Sequence, residues 1–193
     1  MKNILLIVDM QSGFINSAQT EKVSNKIKNL LELNIFDSVV ATRFLNDTDS
    51  IYEQLFGWKH LESEDERAID SGYEKYIDCV FDKYIYNCVN TNFIQRLCQL
   101  NDGKYPEKVF VVGVDTDCCV LTIATGLFEN NIRPIVLTNY CDSNGGPDSH
   151  KAGLLCLKRL IGEKQLCDID ITSNTKLDMI WTIIRGKKRW MEF

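Results

Sequence analysis

The sequence predicts an α/β fold in three layers, with helices on both sides of a central, mostly parallel six-stranded sheet. Two observations predict it. Short β-branched runs alternate with longer amphipathic stretches, the pattern of strand-helix crossover units. The runs Ile4-Leu5-Leu6-Ile7-Val8 and Val109-Phe110-Val111-Val112 also lack polar alternation, as strands covered on both faces do. Strands are expected at Asn3 to Val8, Ser38 to Ala41, Ile77 to Phe81, Lys108 to Val112, Pro134 to Leu137 and Leu166 to Ile169. Helices are expected at Val23 to Glu32, Thr91 to Leu100, Cys119 to Glu129 and Ser149 to Leu160. The stretch from Asn46 to Tyr76 carries a polar cluster, residues 62–67, beside the apolar Ile51, Tyr52, Leu55, Phe56 and Trp58. It reads as a packed insertion or a lid.

With 193 residues and 45% hydrophobic content, one globular domain spanning the chain is expected. The net charge of -5 argues against nucleic acid or an anionic membrane as partner. The cationic group Arg185, Lys187, Lys188 and Arg189 is too short to reverse that balance. The start, Met1-Lys2-Asn3 before a five-residue apolar run, fits neither a signal peptide nor a membrane span. Eight cysteines without a Cys-x-x-Cys pair read as reduced thiols of a cytoplasmic protein. With only His60 and His150, the ligand spacing of a structural zinc site is lacking.

Open parallel sheets bind ligands beyond the carboxyl ends of their strands, so the residues following each apolar run are the candidates for chemistry. Asp9 follows the first run, Lys83 the run that ends at Phe81, and Gly113 to Cys119 the run that ends at Val112. A cysteine opening a helix meets free N–H groups and the positive end of the helix dipole, which favour a thiolate and can bind an oxyanion. Taken singly, each residue has a plainer reading: Cys119 as a small buried residue, Asp9 as a cap or turn residue, Lys83 as a solvated strand end. Together they supply a nucleophile, a proton carrier and a cation that stabilises both.

The ordered anchors Leu5 to Phe14, Asp82-Lys83-Tyr84 and Gly113-Val114-Asp115-Thr116-Asp117-Cys118-Cys119-Val120 resemble the isochorismatase-like cysteine hydrolases over most of the chain. The resemblance implies a catalytic trio of Asp9, Lys83 and Cys119. It selects Cys119 over Cys118, because the Thr-Asp-x-Cys-Val pattern then falls on residues 116–120 and Ala124 falls on the small residue of the following helix. It also implies a cis peptide between Val114 and Asp115, with the Asp115 and Cys119 N–H groups facing the oxyanion. Asp115 departs from the small residue usual there, and its carboxylate would repel an oxyanion unless it is paired or turned away.

Nicotinamidases in this group carry an Asp-x-His and a later His after the second strand. This chain has Thr42-Arg43-Phe44-Leu45-Asn46 there, which resembles a metal-free subgroup, so no metal and no organic cofactor are expected. Arg43 and Asn46 then either bind substrate or anchor the insertion, and Phe14, Trp58 and Tyr84 are candidate pocket walls. The segment Ser143-Asn144-Gly145-Gly146-Pro147 lacks nucleotide-loop spacing and reads as a turn before a helix, with His150 a helix or interface residue. The resemblance further implies a homo-oligomer, with Trp181, Trp190 and Phe193 at its interface.

The function expected is hydrolysis of a small amide, carbamoyl or ureido C–N bond. Vinyl-ether hydrolysis of isochorismate, which needs no thiol, and a non-catalytic binding role on the same scaffold are the alternatives. The vicinal Cys118-Cys119 pair is disfavoured as a redox couple, since adjacent cysteines close only a strained ring.

Overall fold

In the computed structural model, which describes residues 2–180, the strands are β1 (Ile4–Val8), β2 (Ser38–Phe44), β3 (Cys79–Lys83), β4 (Lys108–Gly113), β5 (Arg133–Cys141) and β6 (Leu166–Cys167). They form one six-stranded sheet in the order β3-β2-β1-β4-β5-β6, with every neighbouring pair parallel. The helices are α1 (Ala18–Glu32), α2 (Ile51–Phe56), α3 (Glu64–Arg67), α4 (Thr91–Leu100), α5 (Leu121–Glu129) and α6 (Pro147–Leu157). Among the described residues, no helix is long and apolar enough to cross a membrane. The cationic group at 185–189 and Trp181, Trp190 and Phe193 lie outside the described residues.

The two-residue period of a strand divides the core in two. Leu5, Ile7, Phe110 and Val112 belong to one cluster with Val23, Ile27 and Leu30 of α1. Ile4, Leu6, Val109 and Val111 belong to the other, with Phe93 and Leu97 of α4 and Ile123 and Leu127 of α5. All five residues of β1 have no exposed surface, and each such aliphatic side chain contributes roughly 1.5–3 kcal/mol by burial. The continuous apolar runs are thus the physical signature of strands between two helix layers.

Several boundaries differ from expectation for local reasons. Helix α1 begins five residues earlier than Val23, because Ser17 and Thr20 form a capping box in which each side chain bonds the other's backbone N–H. Strand β2 runs on to Phe44, and β3 is shifted to Cys79–Lys83 by a 3-10 turn at Glu74–Tyr76. Lys83 is therefore the last residue of its strand. Cys119 does not open an α-helix: residues Thr116–Val120 form a single π-helical turn ahead of α5. Pro147 starts α6 two residues before Ser149.

The 46–76 insertion is packed against the sheet's carboxyl edge. Leu61 is fully buried with Phe44 and Tyr52, and Phe14 and Trp58 close over them. Arg67 Nε donates to the Leu61 carbonyl at 2.7 Å, and Gln11 Nε2 donates to the carbonyls of Phe44 and Arg67 at 2.9 and 3.0 Å.

The chain steps outward from β1 to β2 and β3, then returns to add β4 on the other side of β1. That reversal opens a crevice beyond the carboxyl ends of β1 and β4, where Asp9 and the 114–120 segment lie. Gly113, paired with Val8, has a φ of +119°, and a Cβ there would collide with the Val8 backbone. Gly113→Ala is therefore expected to destabilise the protein by more than about 2 kcal/mol, measured as a lower urea midpoint.

Candidate active site

Asp9 leaves β1 in the left-handed region, with φ 51°, and is wholly buried rather than partly so. The Thr42 hydroxyl accepts from the Asp9 N–H at 3.1 Å and donates to its Oδ1 at 2.7 Å. Its Oδ2 lies 2.7 Å from Lys83 Nζ, with the side chains 0% and 1% exposed. Lys83 is in register with Phe44. From β3 it passes over the Phe44 ring, with Nζ 4.7 Å from the centroid, to reach Asp9 two strands away.

The same ammonium donates to Cys119 Sγ at 3.2 Å and to the Ile85 carbonyl at 3.2 Å. The Asp9 contact is an ion pair, in which Oδ2 is held by charge rather than by a hydrogen bond of good geometry. Burial disfavours the ammonium, but Asp9 and Cys119 outweigh it and raise the Lys83 pKa above its ordinary value. The charged form is the resting one.

Cys119 is held by the turn around it. The N–H groups of Cys118 and Val120 both donate to the Asp115 carbonyl at 3.1 Å. The Thr116 N–H and hydroxyl donate to the Asp142 carbonyl at 2.9 and 3.0 Å, and the Thr116 hydroxyl lies 2.8 Å from His150 Nδ1. His150, read as a helix or interface residue, thus braces this turn from α6. A Cβ at Gly153 of α6 would strike the backbone of Thr116 and Asp117, so α6 lies directly on the turn.

The thiol corrects one expectation. Burial and then Asp9 push the Cys119 pKa well above its ordinary value, and Lys83 only partly offsets them. The helix-terminus argument for a resting thiolate fails because it omitted desolvation, the larger effect at a sulfur this enclosed. Cys118 is half-buried, its thiol raised to about 11 by burial.

Val114-Asp115 is a cis peptide, as the resemblance implied. The Asp115 carboxylate is paired: Oδ1 accepts from the N–H and Nδ2 of Asn144 at 2.8 and 3.0 Å. Burial, reinforced by Asp117 and opposed by Asn144, raises its pKa to about 6.

A cavity of about 240 Å³ opens onto Cys118, Cys119 and Asp115. Its other walls are aromatic, from Phe14, Phe44, Tyr52, Phe56, Trp58 and Tyr86. The volume lies below the roughly 300–1,000 Å³ of drug-sized sites, so the cavity suits a small molecule.

Of the residues expected to bind substrate, Phe14 and Trp58 line this cavity, whereas Arg43, Asn46 and Tyr84 do not. Strand parity separates Arg43 from Thr42 and Phe44, turning it to the other face. There its guanidinium bonds Asp82 at 2.7 and 2.9 Å and borders a separate groove. Asn46 is buried and donates to the Trp58 and His60 carbonyls at 3.2 and 3.0 Å, which anchors the insertion. Tyr84 follows the inward-facing Lys83 and is 53% exposed. Thr42, Asn144, Tyr52 and Tyr86 were not singled out for the site. Strand parity with Phe44 signals Thr42, but nothing local signals the contacts that Asn144 and Tyr86 make across the fold.

The sequence matches the isochorismatase domain over residues 3–165. The chain belongs to the isochorismatase family. No curated protein matches it in sequence. Among solved structures it is similar to an isochorismatase-like hydrolase from Alkaliphilus metalliredigens, at 16% identity and TM-score 0.70 over 83% of this chain and 92% of that one. The nicotinamidase of Bacillus subtilis is similar at 19% identity and TM-score 0.66, over 84% and 97% of the two chains. N-carbamoylsarcosine amidase from Thermoplasma acidophilum is similar at 19% and 0.67, over 84% and 94%. At these identities the likeness is one of fold.

Residues 42–46 of this isochorismatase-family chain offer none of the imidazole donors of a histidine metal site. There the guanidinium of Arg43, which cannot ligate a metal, is tied to Asp82, and the Asn46 amide nitrogen donates to carbonyls. Among the described residues no group of three His, Cys, Asp or Glu side chains is placed to hold a metal ion.

Two outcomes follow from the electrostatics. Asp9→Asn is expected to lower the Cys119 thiol pKa, because Asp9 raises it and Lys83 opposes that effect; thiolate absorbance near 240 nm, titrated against a Cys119→Ala blank, reads the shift. Asp115 has a folded pKa raised from 3.8 to about 6, so its stabilising contribution is full below pH 4 and lost as pH rises through 6. Asp115→Asn, which keeps an oxygen for Asn144, is therefore expected to stabilise the protein at pH 8 by up to about 3 kcal/mol and to be neutral near pH 4. Thermal melts at the two pH values check this.

Proposed function

We propose that this protein is a cysteine-dependent hydrolase that cleaves a small amide, carbamoyl or ureido C–N bond through a thioester on Cys119, without a cofactor. One observation carries the reading: a single buried ammonium, Lys83 Nζ, lies 2.7 Å from the Asp9 carboxylate and 3.2 Å from the Cys119 sulfur. A cysteine that opens on a small cavity and shares one buried cation with a carboxylate has little structural reason to be there. The nicotinamidase and carbamoylsarcosine amidase names among the similar structures point to the same bond class.

The steps follow from the charge states. The resting sulfur keeps its proton, so Asp9 takes that proton as Sγ bonds to the substrate carbonyl carbon and the carbonyl π pair moves to oxygen. The Asp115 and Cys119 N–H groups donate to this oxyanion. On collapse the C–N bond breaks, and the leaving nitrogen takes the proton from Asp9. Water then attacks the thioester while Asp9 removes its proton. The second collapse breaks the C–S bond and returns the proton to sulfur, releasing the acid. Lys83 remains cationic throughout and steadies whichever partner is anionic.

The test is an ammonia-release screen across small amides, carbamoyl compounds and ureides. Wild type is expected to turn over at least one, and Cys119→Ala to lose about 10³-fold or more of kcat on it. Full turnover by Cys119→Ala would overturn the thioester route. Isochorismate is run beside them, since vinyl-ether cleavage that survives Cys119→Ala would favour the reaction that needs only the acid.

A further inference from the structure

The hydrolytic steps use the backbone N–H of Asp115 and leave its carboxylate without a role. Asp115 lines the cavity, and the orientation of its carboxylate is set by the two bonds from Asn144 to Oδ1. No partner is found for Oδ2 among the described residues. Lys83 cannot neutralise it, since its side chain is 1% exposed and its N–H groups are engaged by Asp9, Cys119 and Ile85. Among the described residues no cationic side chain lines the cavity.

The same cavity has an aromatic wall. Phe14 and Trp58 stack with centroids 6.0 Å apart, and Tyr52 meets Trp58 and Tyr86 edge-on at 6.1 and 5.2 Å. Aromatic faces are negative by their quadrupole and attract cations. Asp115 and the aromatic lining thus favour positive charge in the cavity, and Asp117 on the same turn adds to it, whereas the charge of Asp9 is balanced by Lys83. A neutral substrate would gain nothing from the carboxylate, and an anionic one would be repelled. The raised pKa of Asp115 has the same origin, a buried carboxylate awaiting a countercharge.

We propose that Asp115 is a specificity determinant that selects substrates carrying a positively charged nitrogen group, seated between its carboxylate and the aromatic wall. The proposal rests on the hydrolase reading only in taking this cavity as the substrate site.

The test is binding, separated from turnover. Calorimetry on the Cys119→Ala protein at pH 8 compares benzamidine, benzamide and benzoate, which share one shape and carry charges of +1, 0 and -1. Benzamidine is expected to bind about tenfold or more tighter than benzamide, and benzoate weakest. In the Asp115→Asn, Cys119→Ala protein the three affinities are expected to converge. Equal or tighter binding of benzamide or benzoate to the parent, no benzamidine binding at millimolar concentration, or a preference that survives Asp115→Asn would each overturn the proposal. If Asp115→Asn fails to give a folded circular dichroism spectrum, Asp115→Ser replaces it, and the parent ranking still decides. A failed ammonia screen with this ranking intact would discard the thioester route and not the cation site; the reverse result would discard only the cation site.

Discussion

The ion pair between Asp9 and Lys83 is the constraint on which the rest of the site depends. Two charges removed from water cost several kcal/mol each, and only close contact with every remaining hydrogen-bonding group satisfied offsets that. The fold supplies the contact from three strands, with one Asp9 oxygen held by the ion pair alone. Thr42 of β2 holds one Asp9 oxygen, Lys83 of β3 holds the other, and the Phe44 ring lies under the lysine stem. Cys119 and Ile85 take the two remaining ammonium hydrogens. Moving any one of these groups would leave a buried charge short of a partner, so the electrostatics hold the nucleophile as firmly as the packing does.

That constraint explains why the carboxyl edge of the sheet is braced so heavily. The reversal between β1 and β4 opens a crevice, and the π-helical turn carries Cys119 into it. The Asp142 carbonyl, His150 and the bare face of Gly153 hold that turn from the side of β5 and α6. The opposite wall is the insertion, whose Leu61 core and Arg67 bonds fix Trp58 over the cavity. The site is therefore shared among distant segments, and no single element contains it.

Much of this was legible in the sequence where the signal was local. Apolar runs without alternation indicated doubly covered strands, and polar residues directly after them marked the site. The ordered anchors singled out the second of two adjacent cysteines, the one that Lys83 touches. What stayed hidden depends on contacts across the chain. Whether Arg43 faces the cavity is decided by strand parity, which shifts with a boundary error of one residue. Asn144 finds Asp115, and Tyr86 reaches Tyr52, only once β5 and β3 are placed. The state of the thiol was misjudged because a dipole can be read from sequence while burial cannot.

The protonated state of Cys119 has a consequence for the chemistry of a cell. A permanently ionised sulfur reacts with peroxide and stray electrophiles whether or not substrate is present, and oxidation past the sulfenic acid is not reversed. In the proposed mechanism the sulfur becomes a nucleophile only when a bound carbonyl draws it out and Asp9 takes its hydrogen. A sulfur that is enclosed and protonated is expected to react slowly with peroxide, and a covalent inhibitor must first fit the aromatic cavity rather than rely on a strong warhead.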